Sequence, residues 1–418
     1  MPQGVDAICV GIADRAAGGG QFGRAYRLAG KQAQLPQTLR IEPGSAETAY
    51  AWVRADRGGV PVARAARTVD FGSDVTLALD RCAPGSAGAP AVVGAAVGPA
   101  AARLAASRGP GGDVVVAVGA ESAVIDARDG VPISTPAPSP PPGTIVAVIA
   151  VDLDGDCDDD VIVASDAASP VVWRRTGTTF EEAGALDFGV VVAIAAADVD
   201  RDGDLDLVTA TATELVLWRN DGSGTFTRDP SAINGGGRAR SVRALALGDL
   251  DGDGSPDLIV GQRGDPMLAF LGDRDGAGTF VFADGVIAPI SLDVARLELA
   301  DADGDFDPDL AIAVAGGGPM RLFVNRDGRL EDQSFVRLPQ PAPRARAIAI
   351  AGWDAGCEPD AVIAGDGGAP TLRGEPGGAL AADGAAPPAS DVVMVDLDDD
   401  GDLDAVLATP EGVVWLAR

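Results

Sequence analysis

The chain has 418 residues, 46% of them hydrophobic but only 4% aromatic, so its core must be built largely from Ala, Val, Leu and Ile. A net charge of −30 argues against nucleic acids and anionic membrane surfaces as partners. The complete lack of histidine excludes Ser-His-Asp and Cys-His catalysis, as well as histidine zinc sites.

Residues 1–86 contain short strand-like runs, such as "DAICVGIAD" and "DVTLALDRC", that are separated by glycine and proline turns and follow no repeat. We predict a small β-sandwich-like domain here, in which Cys9 and Cys82 could form a disulfide.

No apolar run of the chain reaches the roughly 18 residues that a membrane helix needs, so no transmembrane segment is predicted. The start "MPQGVDAICV" lacks the basic region and apolar core of a signal peptide.

Residues 87–418 repeat one pattern every 44–52 residues. Each repeat has an apolar strand, an acidic loop, a second apolar strand, a third strand with a bulky aromatic residue, and a turn into a fourth strand. Four short strands at this period are typical of β-propeller blades. We therefore predict an all-β fold with a seven-bladed propeller. The last repeat ends after three strands, and we expect residues 89–97 to supply its fourth. The repeats align on Asp113, Asp160, Asp206, Asp257, Asp309, Asp360 and Asp404.

Five of the loops follow the pattern D-x-D-x-D-G-x-x-D, with replacements at the sixth position. Four crowded carboxylates repel one another unless a cation lies among them, and hard oxygen donors in a flexible loop suit Ca²⁺. The seventh residue would add a backbone carbonyl. A Glu at position twelve and flanking helices, which an EF-hand requires, are lacking. The sequence thus predicts about five calcium ions, held by Asp152, Asp154, Asp156, Asp158 and Asp160; Asp198, Asp200, Asp202, Asp204 and Asp206; Asp249, Asp251, Asp253, Ser255 and Asp257; Asp301, Asp303, Asp305, Asp307 and Asp309; and Asp396, Asp398, Asp400, Asp402 and Asp404.

The other two loops keep few of these carboxylates, and we expect no metal there. "GWDAGCEPD" retains Asp354 and Asp360, and "ASRGPGGD" retains only Asp113. Cys157 and Cys357 occupy equivalent positions in the second and sixth repeats. Blades so far apart would hold the two thiols beyond disulfide reach, so we predict that they are not bonded to each other.

The acidic loops and the "D-[LV]-[IV]-V" strands that follow them resemble the FG-GAP/VCBS repeats, the propeller family that includes the head of integrin α-subunits. The resemblance covers about residues 89–418. It implies a seven-bladed propeller with calcium in its loops and a secreted or cell-surface protein. The family includes adhesion heads, lectin-like sugar binders and polysaccharide-cleaving enzymes, so the resemblance does not fix the function.

We expect a calcium-stabilised, monomeric binding or adhesion module whose ligand is a glycan or a protein. Calcium loops work poorly at resting cytosolic calcium, so we expect an exported protein whose export signal has been removed. One alternative is a polysaccharide lyase or hydrolase that uses carboxylates or an arginine as its acid and base; the lack of His and the scarcity of Lys and Tyr make an enzyme less expected. Another is a structural display scaffold.

The aromatic residues of the third strands could stack on sugars, but recurrence at one blade position favours packing between sheets. These residues are Trp173, Trp218, Phe270, Phe323 and Trp415.

Overall fold

The computed structural model describes most of the repeat region and four strands of the segment before it. Cys82, Cys357 and Phe306 lie outside the described residues, as do the predicted ligands Asp305, Asp400 and Asp402, so the Cys9–Cys82 disulfide stays a prediction. The described ranges are 7–14, 21–29, 48–57, 60–70, 91–109, 112–127, 131–211, 214–303, 307–351, 353, 359–375, 378–398 and 403–417.

The first four strands form one antiparallel sheet with the order β2-β1-β3-β4. Their bounds are β1 (Ala7–Asp14), β2 (Gln21–Ala29), β3 (Thr48–Arg57) and β4 (Val60–Asp70). A sandwich needs a second sheet, and the described part of this segment contains only this one. The sandwich-like domain and its boundary therefore remain predictions.

The remaining strands form seven four-stranded units, which we call blades 1 to 7. Strand β5 (Ala91–Val97) precedes them along the chain. Blade 1 has β6 (Ala101–Ser107), β7 (Val114–Gly119), β8 (Ser122–Asp126) and β9 (Ile133–Pro136). Blade 2 has β10 (Ile145–Val151), β11 (Asp160–Ser165), β12 (Val171–Thr176) and β13 (Thr179–Ala185). Blade 3 has β14 (Ala193–Ala197), β15 (Asp206–Ala210), β16 (Leu215–Asn220) and β17 (Phe226–Asp229).

A short strand β18 (Ile233–Asn234) and a 3₁₀ turn (Gly236–Arg238) lead into blade 4. Blade 4 has β19 (Val242–Gly248), β20 (Asp257–Pro266), β21 (Leu268–Gly272) and β22 (Phe280–Phe282). Blade 5 has β23 (Ser291–Ala300), β24 (Asp309–Val314), β25 (Arg321–Arg326) and β26 (Arg329–Asp332), followed by the helix α1 (Ser334–Arg337). Blade 6 has β27 (Ala347–Ala351), β28 (Asp360–Ala364), β29 (Ala369–Glu375) and β30 (Ala379–Ala386). Blade 7 has β31 (Asp391–Val395), β32 (Asp404–Thr409) and β33 (Gly412–Ala417).

The fourth strand of blade 7 is β5, which pairs antiparallel with β33. Blade 7 is thus built from both ends of the repeat region, and its outer edge is paired rather than left open. Blades 4 and 5 are linked by a second kind of pairing, because the end of β20 continues past its own blade and pairs with β23.

The blades are arranged in a closed ring. The first strand of each blade contacts the first strand of the next, and β31 of blade 7 contacts β6 of blade 1. The buried apolar side chains divide into seven clusters, each between two neighbouring blades. The predicted all-β propeller is confirmed. Among the described residues no helix is long and apolar enough to cross a membrane.

The second strand of a blade shows why the sequence reads as continuous apolar runs. In β7, Val114 and Val116 pack toward blade 2, whereas Val115 and Ala117 pack toward blade 7. Successive side chains of a strand point to opposite faces, and here both faces are covered by a neighbouring blade. An alternating polar pattern would therefore place polar groups in the core.

The recurring aromatic residues pack between blades, as predicted. Trp173, Phe270 and Phe323 are completely buried, and Trp415 is 4% exposed. Trp218 is half-buried and stacks on Phe188, with ring centroids 3.9 Å apart. The four buried rings are not available to stack on a sugar.

Candidate metal centres

The acidic loops connect the first and second strands of their blades, so all of them lie at the end of the ring where the first strands finish. The loops whose sixth residue is described turn there through a left-handed conformation, with φ of 102° at Gly203 and 86° at Gly254. Cys157, which replaces glycine in blade 2, adopts the same conformation with φ of 69°. Its N–H donates to Asp152 Oδ2 at 3.2 Å, as Gly203 N–H donates to Asp198 Oδ2 at 3.2 Å. The turn therefore survives the replacement.

In each of five loops, three carboxylates come together. One oxygen of each lies within 4.8 Å of the other two. Ca²⁺ binds oxygens at roughly 2.4 Å, so two ligands on opposite sides of the ion are about 4.8 Å apart, and the spacing fits such an ion. The groups are Asp152, Asp154 and Asp156; Asp198, Asp200 and Asp202; Asp249, Asp251 and Asp257; Asp301, Asp303 and Asp309; and Asp396, Asp398 and Asp404.

The fifth-position aspartates close the loop on itself. Asp156 Oδ1 accepts the N–H of Asp158 at 2.9 Å, Asp202 Oδ1 accepts that of Asp204 at 2.9 Å, and Asp253 Oδ1 accepts that of Ser255 at 2.8 Å. Such bonds stiffen the turn and engage only one oxygen of the carboxylate. That the seventh residues, including Asp307, ligate through their carbonyls stays a prediction.

The ninth-position aspartate has a role that sequence reasoning missed. Its carboxylate accepts a backbone N–H of the third strand: Asp160 from Arg175 at 2.9 Å, Asp206 from Asn220 at 2.9 Å, Asp257 from Gly272 at 2.8 Å, Asp309 from Asn325 at 2.7 Å and Asp360 from Gly374 at 2.9 Å. Blade 6, whose loop lacks aspartate at the first and fifth positions, keeps this bond. The signal was present in the sequence, because this aspartate occurs in all seven repeats.

Asparagines of two third strands tie the loops of blades 2 and 4 to the next blade. Asn220 Nδ2 of blade 3 donates to Leu153 O in the loop of blade 2 at 2.9 Å. Asn325 Nδ2 of blade 5 donates in the same way to Leu250 O in the loop of blade 4 at 2.8 Å. Both amides are buried, so these bonds contribute directly to the packing of neighbouring blades.

Arginines approach four of the carboxylate groups. Arg174 of β12 contacts Asp154 at 2.9 Å and also Asp160, and Arg219 of β16 contacts Asp200 at 2.8 Å. The same holds in blades 4 and 5, where Arg274 lies 3.6 Å from Asp251 and Arg326 lies 3.2 Å from Asp303. Four carboxylates and one Ca²⁺ would leave two negative charges, and a nearby guanidinium compensates part of that excess.

Burial makes several of these carboxylates costly to ionise without a cation. It raises the pKa of Asp160, Asp206 and Asp257 to about 7. It also raises the pKa of Asp156 to about 7, with the carboxylates of its own loop adding to the effect. Oxygens of three loop aspartates are buried and accept no hydrogen bond within the described part of the chain: Asp154 Oδ1, Asp206 Oδ2 and Asp303 Oδ1.

The donor set therefore fits a hard divalent cation. All donors are oxygens, several are buried without a hydrogen-bond donor, and each group combines like charges that a cation would neutralise. Such an ion would fix the link between the first and second strands. That blades 1 and 6 hold no ion stays a prediction, since part of each of their loops lies outside the described residues.

Comparison with known proteins agrees with this geometry. A family model described as FG-GAP-like repeat matches residues 152–209, 198–260 and 249–312. This chain contains FG-GAP-like repeats. Each match begins at the first aspartate of one loop. It ends in the second strand of the next blade, so one match spans two successive loops of the ring.

No curated protein matches the chain. Among solved structures, it is similar to an Agrocybe aegerita lectin described as recognising non-reducing terminal N-acetylglucosamine, with 16% identity and a TM-score of 0.47 over 81% of this chain and 97% of the lectin. It is also similar to BBS1N in complex with ARL6DN, in crystals soaked with lead or mercury. Those identities are 14% and 13%, with TM-scores of 0.39 and 0.36 over 65% of this chain and 91% and 90% of theirs. Similarities of this size carry no argument about ligands.

Proposed function

We propose that this FG-GAP repeat protein is a calcium-stabilised binding or adhesion module that acts outside the cell, secreted or at the cell surface. Its ligand is a glycan or a protein, and it works as a monomer. The aspartate groups hold about five calcium ions, which serve the propeller rather than a reaction.

The observation that carries this proposal is the recurrence of one oxygen-only group at the same blade position in five blades. A catalytic metal would be expected at one place, where substrate binds. A structural ion is expected wherever the same loop must be held in the same conformation. Calcium sites of extracellular modules bind in the range of roughly 10⁻⁴–10⁻³ M, which matches a protein that meets calcium outside the cell.

The alternative of a polysaccharide lyase or hydrolase requires carboxylates and an arginine in one cleft away from the aspartate loops. The described residues contain one such arrangement, where Asp391 and Asp366 lie near three arginines at the opposite end of the ring. Asp391 is completely buried in an ion pair, and Asp366 is paired at the surface. Both carboxylates are engaged by arginines, so this arrangement favours binding over catalysis.

The experiment that tests the function is a glycan array probed with calcium-loaded protein and, in parallel, with EDTA-treated protein. We expect binding to one sugar class that disappears with calcium. If the array is silent although the protein is folded by circular dichroism, a pull-down from extracellular fractions tests the protein ligand. Silence in both would leave the structural display scaffold as the better reading. Turnover of a polysaccharide, measured on the same panel, would contradict the binding proposal.

A further inference from the structure

A cavity of about 640 Å³ lies at the end of the ring where the first strands begin, opposite the aspartate loops. Its wall includes Arg103 of blade 1, Arg296 of blade 5 and Arg346, which directly precedes blade 6. Blades 1 and 5 are not neighbours, so the cavity lies across the axis of the ring. We call it the channel mouth. Three guanidinium groups on one cavity are unexpected in a chain of net charge −30.

Two of these arginines are held in place by carboxylates. Arg296 Nη2 donates to Asp391 Oδ2 at 2.7 Å, and the same oxygen accepts the N–H of Leu104 at 3.0 Å. Asp391 thereby joins blades 1, 5 and 7 around the axis. Arg346 Nε lies 2.8 Å from Asp366 Oδ1, in a pair that is exposed on both sides. These pairs orient the two guanidinium groups before any ligand arrives.

Arg103 has no carboxylate partner of this kind among the described residues. Its Nε is buried and makes no hydrogen bond to any part of the chain that the structure describes. Burial, and next the positive charge of Arg296, lower its pKa to about 10, while Asp391 acts in the opposite direction. A buried donor without an acceptor is unfavourable, and the rest of the Arg103 side chain lines the cavity, where a ligand can meet it.

Carboxylates near the channel mouth offset part of its positive charge. Asp391 and Asp366 offset two of the three arginines. The third acid is Glu298, on β23 two residues from Arg296. Burial raises its pKa to about 7, so it carries less than a full negative charge at neutral pH. The two ion pairs leave Arg103 as the cavity arginine that has no ion pair among the described residues.

We propose that the channel mouth binds an oxyanion, a carboxylate, sulfate or phosphate group, with Arg103 as its principal donor and Arg296 and Arg346 beside it. A guanidinium group offers two parallel N–H donors that match the oxygens of such groups. The cavity has the volume of a small-molecule site, so it takes a small acid or the acidic terminal unit of a larger ligand. This site is separate from the calcium groups and does not depend on the function proposed above.

The test is isothermal titration calorimetry of the calcium-loaded full chain at constant ionic strength. Sodium sulfate is the titrant in one arm and sodium glucuronate in the other, so that an inorganic oxyanion is distinguished from a sugar carboxylate. We expect saturable binding with one site per chain in at least one arm. Arg103→Ala should weaken it by roughly tenfold or more, the loss expected for a charge-assisted hydrogen bond.

Arg346→Ala is the second variant. Arg346 lies in an exposed pair, so its loss should leave the fold intact and weaken binding by a smaller factor, roughly threefold, through lost charge alone. Arg228→Ala is the matched control. Arg228 lies on the outer strand of blade 3 and forms an exposed ion pair with Glu214, so the variant also removes one arginine from an exposed pair. The absence of saturable binding in both arms would overturn the proposal, and so would binding that Arg103→Ala and Arg346→Ala leave at the level of Arg228→Ala.

Discussion

Blades 4 and 6 have the same four strands but different loops. In both, the ninth-position aspartate is buried and accepts an N–H of the third strand, at 2.8 Å for Asp257 and 2.9 Å for Asp360. Blade 4 adds Asp249 and Asp251 to form a carboxylate group, whereas blade 6 has glycine at the first loop position. Blade 6 forms its strands all the same.

The comparison separates two roles within one motif. The ninth-position aspartate belongs to the fold, because it connects the second strand to the third whether or not the other carboxylates are present. Blade 6 lacks the aspartates of the first and fifth loop positions and still forms its strands, so the fold does not require them. They create a local excess of negative charge, which only a cation or an arginine can offset.

The largest expected effect is that of removing calcium. Each ion that binds only the folded protein adds about 2.7 kcal/mol at a hundredfold excess over its Kd, and five sites add together. EDTA should therefore lower the melting temperature strongly in differential scanning calorimetry. Magnesium should restore little of it, because it demands a tighter octahedral site than these loops provide. A melting curve that is the same with calcium and with EDTA would contradict the assignment.

Asp251→Asn should remove one site. It replaces one carboxylate of the blade 4 group, so we expect one fewer calcium ion per chain by elemental analysis and a loss of about 2.7 kcal/mol of calcium-dependent stability. Asp354→Asn is the matched control, since it changes the same loop position in blade 6. It should leave both the stoichiometry and the calcium dependence unchanged. Equal losses from the two variants would show that the loops do not differ as proposed.

Asp360→Ala should have a smaller effect that calcium does not alter. It leaves the buried N–H of Gly374 without its acceptor, at a cost of about 1–3 kcal/mol. Chemical denaturation with calcium and with EDTA should give the same loss. A loss found only in the presence of calcium would mean that blade 6 also holds an ion.

The parts of this molecule that the sequence predicts are those encoded over short distances. The spacing of Asp198, Asp200 and Asp202 predicts a carboxylate group because all three lie in one turn. The apolar second strands predict blades, because both faces of such a strand are buried against the neighbouring blades. Contacts across blades are different. Arg103 and Arg296 are nearly 200 residues apart, and nothing in their local sequence indicates that ring closure brings them to one cavity.

The role of the ninth-position aspartate in the fold could be predicted only in part. Its occurrence in all seven repeats, including the two that lack most of the other ligands, is a sequence signal for a role other than metal binding. Which group it would contact could not be derived, because the third-strand N–H lies about 15 residues further on and meets it only in the folded blade.

A further expected effect is a pH dependence of the calcium-free protein. Burial raises the pKa of Asp160, Asp206 and Asp257 from an ordinary value of 3.8 to about 7. Between about pH 4 and 7 the folded chain therefore binds more protons than the unfolded chain, so stability falls as the pH rises through this window. EDTA-treated protein should melt at a higher temperature at pH 5 than at pH 7.5.

With calcium the dependence should reverse, because protons compete with the ion for the same oxygens. Melting in 0.5 M NaCl is the control, since salt screens the repulsion between exposed charges and leaves the buried carboxylates largely unaffected. If the calcium-free melting temperature is flat or rises from pH 5 to pH 7.5 in high salt, these carboxylates are ionised in the folded state without calcium. The arginines beside the loops, Arg174 and Arg219 among them, would then be the cations that stabilise the charge in place of the ion.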